Sequence, residues 1–226
     1  MTTTRTPPPV EARATAIAQR RYDRQAALFD LREAPMELFI GRWRRRLWAL
    51  VPPGSRVLEV GVGTGKNLRW YPPDVSVTAV DFSPKMLARA VRRARQRHVA
   101  VELALMDAQA LALRDAAFDV VVATFVFCSV PDPTLGLREI GRVLRPGGRV
   151  LLLEHVRSRL PFVGRCMDWL NPVSVWFQGA NINRNTVGNV ERAGLRAVRA
   201  DNLFLDIFML IDAGPGASGA AAAGGS

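Results

Sequence analysis

Cysteine and long apolar runs are both scarce in this chain of 226 residues. The two cysteines, Cys128 and Cys166, follow no paired spacing, so the sequence predicts neither a disulfide framework nor a metal site. Residues 1–9 lack the apolar core of a signal peptide, and the longest apolar run, at residues 120–128, is far shorter than the roughly 20 residues that span a bilayer. We therefore expect a protein of the reducing cytoplasm that is neither secreted nor integral to a membrane.

Acidic residues are too few to balance the basic ones. Lysine and arginine number 31 against 20 aspartates and glutamates, which gives a formal net charge of +11, and Lys66 and Lys85 are the only lysines. A net positive field attracts a protein to anionic surfaces. The charge alone leaves two classes of partner open, a nucleic acid backbone and an acidic lipid leaflet.

The length and composition are those of one globular domain with short appendages. Hydrophobic residues make up 49% of the chain and charged residues 23%, which is ordinary for a folded protein. Residues 1–9 are polar and rich in proline, and residues 214–226 are a glycine, alanine and serine tract, so both ends are predicted to be disordered. The rest divides into an N-terminal helical cap, residues 10–51, and a main domain, residues 52–213.

Two amphipathic helices are predicted in the cap. The first covers residues 10–29, and the second begins at Pro35 and ends at Pro52-Pro53-Gly54. In the second helix, apolar residues recur at spacings of three, four and seven, which gives one apolar face with the arginines among residues 42–46 mostly off it. The first helix carries an apolar stripe flanked by arginines. The stripe is Val10, Ala14, Ile17 and Leu28, and the arginines are Arg13, Arg20 and Arg24.

Arginines beside an apolar stripe suit a helix that lies in a lipid interface. Three or four of them near an anionic leaflet contribute about 3–4 kcal/mol of attraction, which is enough for peripheral docking but not for anchoring. The pattern is equally typical of a lid helix that packs on the domain with a solvated basic edge. We expect a cytoplasmic protein that associates peripherally with the anionic surface of the inner membrane.

The main domain alternates between apolar strands and helices. Strands that are apolar along their whole length indicate a mostly parallel sheet with helices on both faces. We therefore predict an α/β, Rossmann-like domain with a seven-stranded sheet, whose ligand lies at the carboxyl ends of the parallel strands. Strands are predicted at residues 56–60, 76–80, 99–104, 118–124 and 149–153, helices at residues 66–70, 84–97, 134–144 and 186–193, and a final antiparallel pair at residues 195–200 and 203–211.

A glycine-rich turn follows the first predicted strand. Gly61, Gly63 and Gly65 carry no side chains, so the backbone can approach a ligand closely. Their spacing is Gly-x-Gly-x-Gly and not the Gly-x-Gly-x-x-Gly that places a helix N-terminus under a dinucleotide pyrophosphate. Asp81, at the end of the second strand, is positioned to accept from ribose hydroxyls, and Asp107, after the third, could accept from an exocyclic amine. The turn and the two acids predict a site for a nucleoside cofactor.

The ordered set of residues 59–65, Asp81 and Asp107 resembles the S-adenosylmethionine site of class I methyltransferases. The resemblance implies an S-adenosylmethionine-dependent methyltransferase that releases S-adenosylhomocysteine and needs no metal. The donor-binding residues that it implies are Glu59, Gly61, Gly63, Gly65, Asp81, Phe82, Met86, Asp107, Ala108 and Thr124.

Later segments of the chain resemble one particular family within the class I methyltransferases. Residues 118–122, 144–148 and 154–156, with residues 22–24 near the N-terminus, resemble the family of ubiquinone/menaquinone C-methyltransferases and bacterial phosphatidylethanolamine N-methyltransferases, over about residues 20–212. Relatives of that family include thiol methyltransferases with a sequence comparable to residues 128–130. The resemblance implies methylation of the amine headgroup of phosphatidylethanolamine, with a small apolar thiol or a quinone as the alternative acceptor.

A third class, a basic nucleic-acid-binding protein, is disfavoured. Amino-directed nucleic-acid methyltransferases carry an aromatic residue after Asn-Pro-Pro, whereas the single Asn-Pro here, Asn171-Pro172, is followed by Val173 and lies outside the fourth strand. The strands also show no interleaving of aromatic and basic residues. We therefore expect a membrane lipid as the substrate and no nucleic acid partner.

Five residues are candidates for handling the methyl acceptor. A lipid ethanolamine is protonated at neutral pH and cannot attack until a proton leaves, so a base is useful. His155 follows the fifth strand directly and is the candidate catalytic base, with a structural hydrogen bond at a strand end as the alternative. Tyr22 could close over the pocket as a catalytic and substrate-binding residue, or could simply pack. Asn181, Asn183 and Arg184 could bind a substrate phosphate, Arg184 bidentately, or form an Asx-rich helix cap.

Overall fold

The computed structural model describes residues 9–216, apart from the side chains of residues 9–12, 177 and 178. The predicted disorder of residues 1–8 and 217–226 lies outside the described residues, as does the side chain of Val10. The helices are α1 (Pro9–Trp48), α2 (Pro84–Arg97), α3 (Pro133–Val143), α4 (Pro161–Gln178) and α5 (Thr186–Arg192), and a 3₁₀ helix spans Lys66–Trp70. The strands are β1 (Arg56–Val60), β2 (Ser76–Asp81), β3 (Glu102–Leu105), β4 (Phe118–Thr124), β5 (Leu144–His155), β6 (Leu195–Phe204) and β7 (Phe208–Pro215).

The seven strands form one sheet in the order β3-β2-β1-β4-β5-β7-β6. Strands β1 to β5 run parallel, and β7 pairs antiparallel with both β5 and β6. From β1 the chain moves through β2 and β3 in one direction and later through β4 and β5 in the other. This divergence leaves a crevice at the carboxyl ends of β1 and β4, where open α/β sheets bind ligands. The predicted Rossmann-like fold with a mostly parallel, seven-stranded sheet is confirmed.

Local sequence signals set the bounds of α2, which are the predicted ones. The Ser83 side chain accepts a hydrogen bond from the Met86 N–H, and Pro84 occupies the first helical turn, where its missing N–H costs nothing. His98 ends the helix in a left-handed conformation, and its N–H bonds the carbonyl groups of the last turn.

The predicted break in the N-terminal cap is wrong, because α1 is one helix of 40 residues with Pro35 inside it. A proline removes one intrahelical hydrogen bond and crowds the preceding turn. Pro35 is exposed, as is Leu31 one turn before it, so the carbonyl group that loses its partner faces water. On the C-terminal side Leu47 and Trp48 are buried in the core, and this packing supports the helix beyond the proline.

Other differences lie toward the C-terminal half of the chain. β5 begins at Leu144 and not at residue 149, and β7 extends to Pro215, past the predicted domain end at residue 213. The sequence analysis does not predict α4, because its large apolar side chains face solvent and it contains Pro172. Within residues 9–216, no helix combines the length and the apolar character needed to cross a membrane.

The core has one apolar layer on each face of the sheet. Alternate residues of a strand point to opposite faces, so neighbours in β1, β4 and β5 join different layers. The C-terminal half of α1 belongs to one layer, and this anchor directs the N-terminal half of α1 across the carboxyl edge of the sheet. One layer includes Leu58, Val121, Leu137, Ile140 and Leu152, and the other includes Leu47, Trp48, Val57, Val122 and Leu151.

Candidate functional site

The glycine turn lies at the carboxyl end of β1, and its three glycines have positive φ angles of 56° to 81°. Residues with a Cβ atom adopt these angles at a cost. At Gly61 a Cβ would overlap the Val126 side chain, and at Gly65 it would lie 2.6 Å from Leu68 Cδ1. At Gly63 it would meet no protein atom within 4 Å, so this part of the turn is open. The turn therefore presents bare backbone at the edge of the sheet.

Asp81, the last residue of β2, holds the glycine turn in place. Its Oδ2 accepts from the Gly63 N–H at 2.7 Å, and its Oδ1 accepts from the Ser83 N–H at 2.8 Å. Burial raises the pKa of the Asp81 carboxyl to about 6, although both hydrogen bonds oppose the shift. Each carboxylate oxygen keeps a second lone pair, so Asp81 retains acceptor capacity for a pair of ribose hydroxyls.

A cavity of about 260 Å³ lies between this edge of the sheet and α1. It brings together the open part of the glycine turn, the acid at the end of β2 and the acid after β3, as a nucleoside cofactor requires. Most of the predicted donor-binding residues line it, and Glu59 and Gly65 do not. Those that do are Gly61, Gly63, Asp81, Phe82, Met86, Asp107, Ala108 and Thr124.

Glu59 lies beneath the turn and does not line the cavity, and its predicted role in cofactor binding stays a prediction. Its Oε1 accepts from Asn67 Nδ2 at 2.6 Å, and its Oε2 accepts from the Tyr71 hydroxyl. Burial raises the pKa of the Glu59 carboxyl to about 7. Glu59 therefore ties β1 to the 3₁₀ helix that follows the turn, and supports the site from below. Gly65 likewise serves the turn through its backbone angle.

The N-terminal half of α1 closes the cavity over the ends of β2 and β3. Gln19 Nε2 donates to the Phe82 carbonyl at 2.7 Å, and the Thr15 hydroxyl donates to Asp107 Oδ2 at 3.1 Å. The Tyr22 ring meets the Phe82 ring edge to face, with 5.7 Å between the centroids. These contacts give α1 the geometry of a lid on the main domain.

Asp30 joins this lid to the glycine turn. Its Oδ1 accepts from the Thr64 hydroxyl at 2.6 Å, and its Oδ2 accepts from Arg93 at 2.6 Å and Arg89 at 3.1 Å. Although partial burial acts in the opposite direction, these bonds and charges hold the Asp30 pKa below its ordinary value. A single carboxylate therefore couples α1, α2 and the turn.

An Asp30→Ala variant should bind the cofactor about tenfold more weakly. Exposed ion pairs contribute little individually, so the loss expected for this half-buried group is on the order of 1 kcal/mol. Calorimetric titration with S-adenosylhomocysteine, the product that the sequence resemblance implies, measures the change. Asp115→Ala is the matched control, because Asp115 also pairs with an arginine, Arg142. Asp115 precedes the amino end of β4, whereas the cavity lies at the carboxyl ends of the strands. Equal affinities for the two variants would contradict a coupling role for Asp30.

His155 lines the other end of the cavity, beside Phe208, whose ring it meets edge to face at 5.0 Å. Burial lowers the pKa of the imidazole to about 4, although a hydrogen bond with the Ile182 backbone opposes the shift. The ring is therefore neutral near pH 7. Among the described residues, its Nδ1 has no hydrogen-bond partner. A neutral ring with a free nitrogen at a cavity wall has the form of a general base.

Tyr22 and Cys128 lie in the same part of the cavity wall. The Tyr22 hydroxyl and the Ser129 hydroxyl are 2.5 Å apart, so they share a hydrogen bond. Burial raises the pKa of the Tyr22 phenol well above its ordinary value, and burial raises the pKa of the Cys128 thiol to about 12. Both groups therefore stay protonated, and Tyr22 can position a ligand but cannot act as a base near neutral pH.

The polar cluster after α4 only partly reaches the cavity. Asn181 lines it. Asn183 donates to Asp168 at 3.1 Å, and the Arg184 guanidinium donates to the Val130 carbonyl at 3.2 Å. Neither side chain lines the cavity, and their predicted contact with a substrate stays a prediction. The helix-cap interpretation holds one residue further on, where the Asn185 side chain accepts from the N–H of Gly188 and begins α5.

Arg44 is a site residue that the sequence analysis places off the apolar face of its helix. It is buried and lines the cavity, and its Nη1 donates to Asn67 Oδ1 at 2.9 Å and Thr124 Oγ1 at 2.8 Å. Its Nε lies 2.9 Å from a Glu37 carboxylate oxygen. The sequence contains a signal for this placement, because Arg44 is four residues from both Ile40 and Trp48 and so shares one helix face with them.

The comparison with known proteins now decides the family. A family model described as a methyltransferase domain matches residues 58–152. A demethylmenaquinone methyltransferase of Roseiflexus castenholzii is 37% identical over 164 residues, which cover 69% of this chain and 67% of that protein. The chain belongs to the S-adenosylmethionine-dependent methyltransferases.

Relatives of this methyltransferase differ in the acceptors that their names give. A phosphatidylethanolamine N-methyltransferase of Cereibacter sphaeroides is 46% identical over 115 residues, 50% of this chain and 57% of that protein. The thiol S-methyltransferase TMT1A of Homo sapiens is 35% identical over 160 residues, 65% of this chain and 62% of that protein. The match thus spans less than two thirds of the length of either relative.

Solved structures of other proteins share the fold of this methyltransferase. An S-adenosylmethionine-dependent methyltransferase from Mesorhizobium loti superposes with a TM-score of 0.59 at 20% identity, over 74% of this chain and 95% of that one. The residues of the present cavity fit the cofactor that the family implies. The open backbone at Gly63 and the free lone pairs of Asp81 suit its ribose, and Asp107 lies beyond on the same wall.

The methyltransferase also carries a buried acid, Glu154, next to His155. Its Oε1 accepts from the N–H groups of Val126 and Phe127 at 3.0 and 3.1 Å, and its Oε2 has no partner among the described residues. Burial raises the pKa of the Glu154 carboxyl to about 7. The acid therefore orders the segment after β4 that lines the cavity.

Glu154 should make the protein less stable as the pH rises. Its pKa is raised in the folded state, so its stabilising contribution is complete below about pH 4.5 and is lost as the pH passes 7. The difference amounts to on the order of 3 kcal/mol. A Glu154→Gln variant keeps the accepting oxygen, and its free energy of unfolding should fall less than that of the wild type between pH 5 and pH 8. Parallel pH dependences in chemical denaturation would contradict this assignment.

Proposed function

We propose that this methyltransferase methylates the amine headgroup of phosphatidylethanolamine, toward phosphatidylcholine. The observation that carries the proposal is the environment at the acceptor end of the cavity, which favours neutral groups over charged ones. There, burial raises the pKa of Cys128 to about 12 and lowers that of His155 to about 4. The 46% identity with a relative named for this activity supports the same acceptor.

Such an environment acts in opposite ways on the two main candidate nucleophiles. It lowers the pKa of an ammonium group, so more of a bound amine is in the neutral form that attacks. It raises the pKa of a thiol and so suppresses the thiolate, which is the form that attacks. The cavity therefore favours an amine acceptor over the thiol acceptor of the human relative.

Each residue at the acceptor end of the cavity has its own role toward a bound lipid amine. His155 takes the proton that the ammonium loses only in passing and releases it to solvent, because its Nδ1 has no other partner among the described residues while its pKa of about 4 keeps the ring neutral. The Tyr22 and Ser129 hydroxyls line the same cavity, share a hydrogen bond and can orient the headgroup. Phe125 and Phe208 exclude water, which would otherwise solvate and retain the ammonium. When bound, S-adenosylmethionine supplies a methyl carbon activated by a positively charged sulfur.

Peripheral association with the anionic surface of the inner membrane is part of the proposal. Ile17 and Leu28 of the predicted apolar stripe are exposed on α1, and the flanking arginines are exposed too. This arrangement supports docking, and the contacts of the opposite face support the lid interpretation, so one helix can serve both roles. The exposed arginines are Arg13, Arg20 and Arg24.

Radiolabelled methyl transfer tests the acceptor. Purified protein and methyl-labelled S-adenosylmethionine are incubated with phosphatidylethanolamine vesicles, with an apolar thiol, and with a demethylated quinone. We expect label in monomethyl phosphatidylethanolamine, confirmed by mass spectrometry of the lipid. Label in the thiol or the quinone and none in the lipid would overturn the proposal, while leaving the protein a methyltransferase.

A further inference from the structure

Helix α4 carries its apolar side chains on the outside. Phe162, Trp169 and Val173 are 78%, 79% and 57% exposed. The inner side buries Met167 but also holds polar groups, because Asn171 Oδ1 accepts from the Ile182 N–H at 2.9 Å and Ser174 donates to the Ala180 carbonyl at 2.8 Å. A helix of a water-soluble surface normally shows the reverse pattern.

The exposed apolar residues form a continuous stripe along α4. At 100° per residue, positions 162, 169, 173 and 176 fall within about 60° of one another. At 1.5 Å per residue the stripe is about 21 Å long. Trp176, at its far end, is 74% exposed. Phenylalanine and two tryptophans along one face are typical of a helix at a membrane interface, where the amphipathic indole ring is favoured.

The turn between β6 and β7 extends this stripe beyond the start of α4. Asp206 in the turn accepts from the Ser158 hydroxyl at 2.5 Å and from the Arg159 N–H at 2.7 Å, so the turn lies against the residues that precede the helix. Leu205 at its tip is 60% exposed with a φ angle of 46°. A branched residue at positive φ costs free energy that glycine or asparagine would avoid. The strained turn thus directs an apolar side chain into solvent.

Basic side chains border the same end of the stripe. Arg159 and Arg165 are exposed, and among the described residues no carboxylate forms an ion pair with either guanidinium group. The nearby Asp168 is already paired with Arg157 at 2.8 Å. The Arg159 charge also acts on Asp206, whereas no carboxylate in the described part of the chain pairs with Arg165. An apolar strip with an exposed basic border is complementary to an anionic lipid surface, in which apolar side chains insert while arginines meet phosphates.

We propose that the stripe of α4, together with Leu205, inserts into the interfacial layer of an anionic bilayer. This proposal rests on the proposed function and adds to it the docking face, the surface with which the protein meets its lipid substrate. The inner side of α4 holds the segment containing Asn181 and Ile182, which lines the cavity. Insertion of α4 would therefore hold the acceptor end of the cavity one helix diameter, about 10 Å, from the membrane. A second copy of the chain fits less well, because it would bring two basic borders together.

Vesicle flotation tests the docking face. Wild-type protein should bind vesicles of phosphatidylcholine with phosphatidylglycerol, and a Phe162→Ser, Trp169→Ser double variant should bind on the order of 100-fold more weakly, since two aromatic side chains lose their burial. Val198→Ser is the matched control, because Val198 is 64% exposed on β6 away from the stripe. It should bind as the wild type does. Unchanged binding by the double variant would overturn the proposal, as would a wild-type dimer that the double variant disrupts.

A second measurement separates this face from the proposed function. On dispersed short-chain phosphatidylethanolamine without vesicles, the double variant should turn over at the wild-type rate, and calorimetry with S-adenosylhomocysteine should show that it is folded. Vesicle binding that needs α4, with no methyl transfer to the lipid, would retain the docking face and refute the proposed function. Methyl transfer to vesicle lipid that is equal in wild type and double variant would retain the function and refute the docking face.

Discussion

An Asp81→Ala variant should bind S-adenosylmethionine at least 100-fold more weakly than the wild type. Asp81 has free lone pairs for two ribose hydroxyls, and each hydrogen bond to a charged group contributes about 1.5–3 kcal/mol. The same substitution releases the Gly63 N–H, which Asp81 accepts at 2.7 Å, so the glycine turn also loses its support from β2. Isothermal titration calorimetry with the donor and with S-adenosylhomocysteine measures both affinities.

Asp74→Ala is the control for this measurement, because Asp74 is an exposed aspartate in the loop before β2. It should bind the donor as the wild type does. If a folded Asp81→Ala protein retained wild-type affinity, the ribose would lie elsewhere and the donor site described above would be incorrect. Thermal unfolding monitored in parallel distinguishes a lost contact from a lost fold.

A His155→Asn variant should lower the turnover number on the order of 100-fold while leaving the affinity for the donor unchanged. General base catalysis contributes about 10²- to 10⁴-fold, and asparagine fills the position without a nitrogen that accepts a proton. The low pKa of about 4 adds a pH test: protonation of His155 should not reduce the rate between pH 8 and pH 6, and should begin to do so as the pH approaches 4.

The other histidine supplies the control. His98 is exposed and ends α2 at a φ angle of 54°, which asparagine adopts more readily than most residues, so His98→Asn should be active and folded. A His155→Asn protein that lost only affinity for the lipid, with an unchanged turnover number at saturation, would make His155 a binding residue and not a base.

The elements best predicted from the sequence are those whose ends are marked by capping residues, prolines or glycines. Ser83 and Pro84 begin α2 and its bounds follow, and β1 ends where positive φ angles require glycine. The donor half of the site follows the same logic, because it is built from strand ends whose order in the sheet is set by the alternation of strands and helices. Eight of the ten predicted donor-binding residues line one cavity for this reason, among them Gly61, Gly63, Asp81 and Asp107.

The remaining features depend on contacts between distant segments. By local rules Pro35 begins a new helix after a break, and only the burial of Leu47 and Trp48 supports one continuous helix through it. Arg44 looks like one of several solvated arginines until Thr124 and Asn67 are seen to accept its hydrogen bonds. Arg184 is a plausible phosphate ligand by type, yet its guanidinium donates to the Val130 carbonyl and does not line the cavity. In each case tertiary packing overrides the residue's own preference.

The Cys128 thiol has a consequence for the durability of the enzyme. A sulfur nucleophile lines the very cavity assigned to an alkylating sulfonium, and an ionised thiol there would compete with the substrate and end in irreversible self-modification. Because burial holds its pKa near 12, almost none of it is ionised at cellular pH. The burial that would favour a neutral amine acceptor therefore also protects the enzyme from methylating its own thiol.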